Sequence, residues 1–246
     1  MDKSLRPYVA ELIGTFAVVF LSAGAVCAAY LPIGIPLDVT GIALAQGLAL
    51  AVVLSCTLNV SGGYLNPAIT VTLWVLRRIE TKHAAGLLVA QLLGSALAGL
   101  VLRLIFPGDV LPYGTPHLTE AFTERTFQAM ATGAGVELAL TFLLTFVVFA
   151  TTIDPRTPRL SGLGVGLTLG LALVALALLG FRLTGASANP ARAFGPFLWE
   201  LTLPGGQADF REHVLVYWLG PVVGAVLAGL VYTYLILPPD EAKARK

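Results

Sequence analysis

Two stretches decide the fold: Ser61-Gly62-Gly63-Tyr64-Leu65-Asn66-Pro67-Ala68 and Thr184-Gly185-Ala186-Ser187-Ala188-Asn189-Pro190-Ala191. Each ends in Asn-Pro-Ala, and the two tripeptides lie 123 residues apart in a chain of 246. The spacing is half the length, so the chain reads as one domain, 1–246, built from a duplicated unit with repeats of about 1–123 and 124–246. A second register agrees closely. Glu11 in Ala10-Glu11-Leu12-Ile13-Gly14-Thr15-Phe16 matches Glu137 in Val136-Glu137-Leu138-Ala139-Leu140-Thr141-Phe142 at an offset of 126, and Leu93-Gly94 matches Leu219-Gly220 at the same offset. Broken, Gly-rich segments at corresponding places in two apolar halves are the pattern of a membrane pathway.

Composition fixes the solvent. Hydrophobic residues make up 57% of the chain, charged residues 12%, and the mean hydropathy is +0.84. Soluble domains carry a charged share of about 25%, so this is an integral membrane protein. The net charge of +1 is spread over short loops. That excludes nucleic acid as a partner, because phosphate binding needs a clustered basic surface. Cys27 and Cys56 fall in apolar stretches and read as small packing residues. The first apolar stretch is too long for a cleaved leader, carries Glu11 early and lacks a clear small-residue cleavage site, so it is expected to stay as a spanning helix. No nucleophile with a paired base, metal-ligand cluster or nucleotide loop can be assembled, so neither an enzyme nor a cofactor is expected. His83, His117 and His213 lack ligand spacing and are expected at solvated helix ends or in loops.

The fold class follows: an all-α membrane protein of six transmembrane helices and two re-entrant half-helices in two inverted repeats. Six stretches approach the roughly 20 residues needed to cross the hydrocarbon: about 8–30, 40–59, 83–106, 129–153, 160–180 and 213–236. The pieces after the tripeptides, about 67–76 and 190–200, are too short to span. Asn is a favoured N-cap and Pro fits the first helical turn, which places Asn66 and Asn189 at half-helix N-termini. Three spanning helices per half is an odd number, so the second half enters the membrane from the opposite side. Placing the N- and C-termini in the cytoplasm puts Lys3, Arg6, Arg77, Arg78, Lys82, Arg156, Arg159, Lys243, Arg245 and Lys246 inside, ten of the fifteen Lys and Arg. It leaves Arg103, Arg125, Arg182, Arg192 and Arg211 on or toward the outside, as the positive-inside bias prefers. The longest connection, 107–128, then crosses the external face.

Backbone that leaves a helix at membrane depth must be buried in protein or line water. Two such breaks meeting from opposite sides point to an aqueous pore. There, positive half-helix ends and the side-chain N–H groups of Asn66 and Asn189 would face a permeant. Water and hydroxylated neutral solutes suit that site, whereas cations and protons do not. A single Asn-Pro-Ala would be no more than a capped turn. Two copies in inverted halves overturn that reading.

The segments Ser61–Thr70 and Thr184–Pro196, the latter continuing as Arg192-Ala193-Phe194-Gly195-Pro196, resemble the signatures of the aquaporin family, and the resemblance covers nearly the whole chain. It implies a homotetramer in a cell membrane with one pore per subunit, passive transport of small neutral permeants, and an outer filter at Gln46, Ala177, Ala186 and Arg192. Two Ala in that ring imply a wide, polar filter, as in members that pass metalloid acids such as arsenite, glycerol or urea in addition to water. Ala193, where glycerol channels usually carry Asp, and Tyr217-Trp218 resemble water-selective members instead. Gln46 could equally bond a neighbouring helix carbonyl. Tyr64 stands where many members carry His near the cytoplasmic side, and a phenol there would narrow the pore. Glu11 and Glu137 resemble the acids that brace the two loops. Intramembrane acids could also serve a proton relay, so a proton-coupled secondary transporter remains as an alternative. A third reading is a non-transporting scaffold. Gly94-Ser95 with Ala98-Gly99, Gly162, Gly166 and Gly170, and Gly220, Gly224 and Ala228 form small faces for close helix packing.

Overall fold

Capping residues mark where the helices begin in the computed structural model, which describes residues 5–31, 37–119, 122, 126–158, 160–204, 206 and 208–238. Helix α1 spans Arg6–Ala29, α2 Val39–Ser61, half-helix α3 Pro67–Val75, α4 Thr81–Ile105 and the single turn α5 Leu111–Gly114. Helix α6 spans Phe127–Val148 and continues through a π-turn at Phe149–Ile153. Then come α7 at Gly162–Thr184 and half-helix α8 at Pro190–Glu200. The last span starts as α9, Phe210–Val214, passes a π-turn at Leu215–Leu219, and ends as α10, Gly220–Val231, with a final π-turn at Tyr232–Ile236. Six of these helical runs are long and apolar enough to cross a membrane, and no strand occurs among the described residues.

The spans begin and end where local chemistry dictates. Asp38 accepts from Gly41 N at 2.8 Å, Thr126 from Ala129 N at 3.2 Å and Ser161 from Gly164 N at 3.2 Å. Each such cap contributes about 1 kcal/mol. Thr126 and Asp209 start their helices earlier than hydropathy predicts, at 127 and 210 rather than 129 and 213. Helix α7 runs past the expected stop at 180, because Gly180 stays helical against Leu140 and the left-handed residue is Gly185, φ 76°. Gly62, φ 93°, ends α2 in the same way.

Small faces set the packing. A Cβ on Gly94 would run into the Leu12 carbonyl of α1, and one on Gly224 into the Leu138 carbonyl of α6, so the α1–α4 and α6–α10 contacts repeat one another. Between the halves, α2 and α7 approach until a Cβ on Gly170 would lie 2.5 Å from the Gly47 carbonyl oxygen. The outward surface carries Ile13, Val52, Leu104, Leu171 and Leu235, all exposed, as a lipid-facing belt requires. Cys56 belongs to that exposed surface, while Cys27 is buried.

At one end of the bundle, Asp154 Oδ2 accepts from Arg156 Nη2 at 2.6 Å and from the Tyr232 hydroxyl at 2.8 Å, and Arg156 Nη2 also donates to Ile236 O at 3.3 Å. These bonds tie the α6–α7 connection to the end of the last helix. The Arg156 guanidinium and its hydrogen bonds hold the Asp154 carboxyl well below the usual carboxylate range. At the other end, the 107–128 connection folds inward through α5, and Leu111 and Gly114 are buried. Residues 120, 121 and 123–125 of that connection lie outside the described residues, as do Lys3, Arg125, Arg159, Lys243, Arg245 and Lys246 of the charge count.

Candidate functional site

The two loops that follow α2 and α7 are left-handed at Leu65, Ala186 and Ala188 (φ 51°, 47° and 45°), as well as at their glycines. Non-glycine residues hold that backbone only where the surroundings over-determine it. Two carboxylates supply the constraint. Glu11 accepts from Ser61 Oγ at 2.7 Å, Tyr64 N at 2.9 Å, Leu65 N at 2.8 Å and Gln91 Nε2 at 2.7 Å. Glu137 accepts from Thr184 Oγ1 at 2.7 Å, Ser187 N at 2.9 Å and Ala188 N at 2.7 Å. Both acids are fully buried. With loop N–H groups turned back toward the acids, the opposed carbonyls of the same peptides are left for the other side.

The tripeptides close the arrangement. Asn66 Oδ1 accepts from Ala68 N and Asn189 Oδ1 from Ala191 N, both at 2.9 Å, so each side chain caps its own half-helix. Each Nδ2 then donates across to the other repeat: Asn66 to Ala188 O and Asn189 to Leu65 O, both at 2.9 Å. An amide nitrogen has two hydrogens. One is spent on the opposite loop, and the second remains at a cavity that both Asn residues line. The oxygen of each amide faces its own helix, so the pair offers donors and no side-chain acceptor.

That cavity has a volume of about 240 Å³ and runs from Tyr64, Thr152 and Ile153 at one end, past Asn66 and Asn189, to Gln46 and Arg192 at the other. Its remaining wall is mainly aliphatic, with Leu50, Leu54, Leu144 and Leu173 among the lining residues. Beyond Arg192 opens a vestibule of about 1410 Å³ under the 107–119 segment, and Arg192 lines both spaces. Its Nη1 donates to Gly114 O at 2.7 Å, while Nε has no partner among the described residues. Gln46 Nε2 likewise has no partner among the described residues, although the residue is only 2% exposed. Two buried donors thus remain at the junction of cavity and vestibule. Of the other two expected filter positions, Ala177 and Ala186 are fully buried in the main apolar cluster and are not among the cavity-lining residues.

The expectation of solvated histidines fails at His213 and holds only in part at His83 and His117, which are half-buried. His213 is buried, stacked on Phe197 with ring centroids 3.8 Å apart, and its Nε2 accepts from Trp218 Nε1 at 3.1 Å. His117 lies 3.1 Å from Glu200 Oε2 and 3.6 Å from Glu212 Oε1, two carboxylates buried at the end of α8 and in α9. Burial works against the charged ring, but the bonds to Glu200 and Glu212 and their charges outweigh it and raise His117 to about 9. His83 is half-buried and meets the Tyr8 hydroxyl at 3.1 Å. Helix-end position alone failed as a guide because each ring finds a partner on a distant segment.

Sequence reasoning also missed Gln91, which joins Glu11 to Thr70 Oγ1 at 2.9 Å, and Ser95, which donates to Ala191 O. The repeat offset contains a signal for the first. Gln91 lies 126 residues before Tyr217, whose hydroxyl donates to Thr184 O at 2.9 Å. Ser61 and Thr184, the hydroxyl partners of the two acids, are separated by the 123 residues that separate the tripeptides.

Residues 1–232 match the family described as Major intrinsic protein. The chain is 37% identical over 246 residues to a probable aquaporin, TIP3-2, of Arabidopsis thaliana, covering 96% of this chain and 85% of that one. It is 38% identical over 244 residues to a probable aquaporin, TIP4-1, of Oryza sativa subsp. japonica, covering 95% and 88%. Among solved structures, the aquaglyceroporin from Plasmodium falciparum superposes with a TM-score of 0.82 over 98% of this chain and 99% of that one, at 21% identity, a likeness of fold. With six spanning helices, two half-helices meeting through paired Asn-Pro-Ala loops and this extent of similarity, the chain belongs to the major intrinsic protein family.

Proposed function

We propose that the chain is a passive channel for water and small uncharged solutes that excludes ions and protons. It would act as a single domain with repeats of about 1–123 and 124–246, in a cell membrane with both termini cytoplasmic, as a homotetramer with one pore per subunit. The observation that carries the reading is the donor-only pair at Asn66 and Asn189 on a cavity bounded by Arg192. A water passing two donors turns its oxygen toward them and cannot pass a proton along a continuous hydrogen-bonded file. The Arg192 cation repels cations at the mouth, and the unpartnered Nε of Arg192 and Nε2 of Gln46 offer donors to a solute oxygen.

Gln46, Ala177, Ala186 and Arg192 form the outer filter in this proposal, Tyr64 narrows the cytoplasmic side, and Glu11 and Glu137 brace the loops. Small residues at 177 and 186 favour solutes wider than water: metalloid acids, glycerol or urea. The relatives named above as aquaporins accord with water as a permeant. A water-selective pore is the second reading, and one observation favours it. Gln46 and Arg192 line the cavity while the two Ala lie behind it, so the long side chains would set the bore. Proton coupling through Glu11 or Glu137 has less support, since loop donors engage both carboxylates.

The test is stopped-flow light scattering of proteoliposomes: osmotic shrinkage for water, then reswelling with arsenite, glycerol and urea. Acceleration for water and at least one of the three supports the wide channel, and water alone supports the selective one. No acceleration over empty liposomes would sink both.

A further inference from the structure

We propose that His117 is a positioning residue for Arg192, pinning the segment that presents the Gly114 carbonyl and thereby holding the guanidinium at the pore mouth. The inference rests on the channel reading. Arg192 Nη1 donates to Gly114 O at 2.7 Å, so the placement of the guanidinium depends on the placement of that carbonyl. Gly114 ends α5, and four of the five residues after it, Pro116 to Thr119, carry the attachments. Pro116 packs on Gly185, where an added Cβ would lie 3.0 Å from the ring. The imidazole of His117 reaches Glu200 at the C-terminal end of α8, the same half-helix that bears Arg192, and Glu212 in α9. Leu118 N donates to Glu212 Oε1 at 2.7 Å, and Thr119 N donates to Leu183 O at 3.1 Å.

Three elements therefore hold the segment, and the attachments at His117 are the charged ones. Glu200 and Glu212 are fully buried, whereas the His117 side chain is 20% exposed and faces the vestibule. A cation between two buried carboxylates offsets the repulsion that would otherwise drive them apart. Among the described residues, the other charged groups around the vestibule are Arg103, Asp109, Arg182 and Arg192, and the buried His213 feels the charges of both His117 and Glu200. The imidazole of His117 loses its charge in mildly alkaline solution. With its titration raised to about 9 from an ordinary 6.5, the attachment is complete below the ordinary value and is lost as pH rises through about 9. Loss of the imidazolium frees the segment to shift, Gly114 O moves with it, and the Arg192 side chain gains room to swing away from the mouth. The filter then discriminates less between water and larger neutral solutes.

The test compares glycerol and water permeability in proteoliposomes of the full chain from pH 6 to pH 10, for wild type, His117→Gln and His117→Ala. The wild-type ratio of glycerol to water should hold steady to pH 8 and rise roughly twofold or more through pH 9, the size of effect carried by packed networks. His117→Gln, which keeps a donor but does not titrate, should give a flat ratio over that range. His117→Ala should show the raised ratio at every pH. A wild-type ratio that stays flat to pH 10, or a His117→Gln profile that still rises through pH 9, overturns the proposal even if water flux is normal. A His117→Ala protein that fails to assemble leaves the wild-type and His117→Gln profiles to decide. Absence of both water and glycerol flux in the wild type at every pH would instead overturn the channel reading, and this inference with it.

Discussion

Replacing Glu137 by Gln changes one atom and isolates what the carboxylate contributes. In the native loop its two oxygens accept from Thr184 Oγ1, Ser187 N and Ala188 N. A Gln oxygen can keep the first two, but its NH2 group then faces the Ala188 N–H, donor against donor. One buried backbone N–H and one amide N–H go unmet, each costing about 1–3 kcal/mol. The neutral side chain no longer bears the penalty of a buried charge, which returns part of that sum and leaves a net loss of about 2–3 kcal/mol. For a chain of this size each kcal/mol moves Tm by about 2–4 °C, so purified Glu137→Gln should melt about 4–12 °C below wild type. Ala188 O is also the acceptor for Asn66 Nδ2, so displacement of this loop should reduce water flux as well. The assay pairs thermal unfolding in detergent with stopped-flow shrinkage of proteoliposomes. Wild-type Tm and flux in Glu137→Gln would refute the bracing argument, and loss of saturable proton-driven uptake in its place would point to the transporter.

Three further outcomes are expected. Ala177→His with Ala186→Cys should cut glycerol and urea passage while preserving water flux, and equal loss of all three would count against a size filter at those positions. Gly224→Ala pushes a methyl into the Leu138 carbonyl and should lower stability by about 1–3 kcal/mol. Gly135→Ala, with nothing within 4 Å of the added methyl, should instead raise it by up to about 1 kcal/mol, so thermal shifts of the same sign would contradict the packing account. Asp154→Asn should lower Tm at pH 7. Because the native carboxyl titrates below its ordinary value, the deficit should persist as pH falls to about 4 and fade only in stronger acid, so a difference already gone at pH 5 would contradict the latch.

Much of this architecture is legible in residue spacing because corresponding motifs recur in the two halves at offsets of 123 and 126. Asn-Pro carries both a cap and a helix start, so the half-helices were predictable to within a residue, and 190–200 agrees at both ends. Helix ends depended on which Gly turned left-handed, and at α7 that was Gly185 rather than Gly180 because Leu140 accepts Gly180 within the helix. The cluster at the mouth was illegible for a different reason. His117, Glu200 and Glu212 come from three separate segments, and none has a partner at a matching offset in the other half. Gln91 was readable in principle through its counterpart Tyr217, but Gln and Tyr share no side-chain class, and only their common task of holding a loop relates them.

The crossed amide bonds have a consequence for how the protein is made. Asn66 needs the Ala188 carbonyl and Asn189 needs the Leu65 carbonyl, so neither loop is finished by its own half of the chain. During synthesis the first three spans and α3 enter the membrane before either partner for that loop exists. Its left-handed backbone must then wait, held by Glu11 with Ser61 and Gln91, until the second half arrives and completes it. The two halves of this fold, each with its own Asn-Pro-Ala loop, can thus only be completed together.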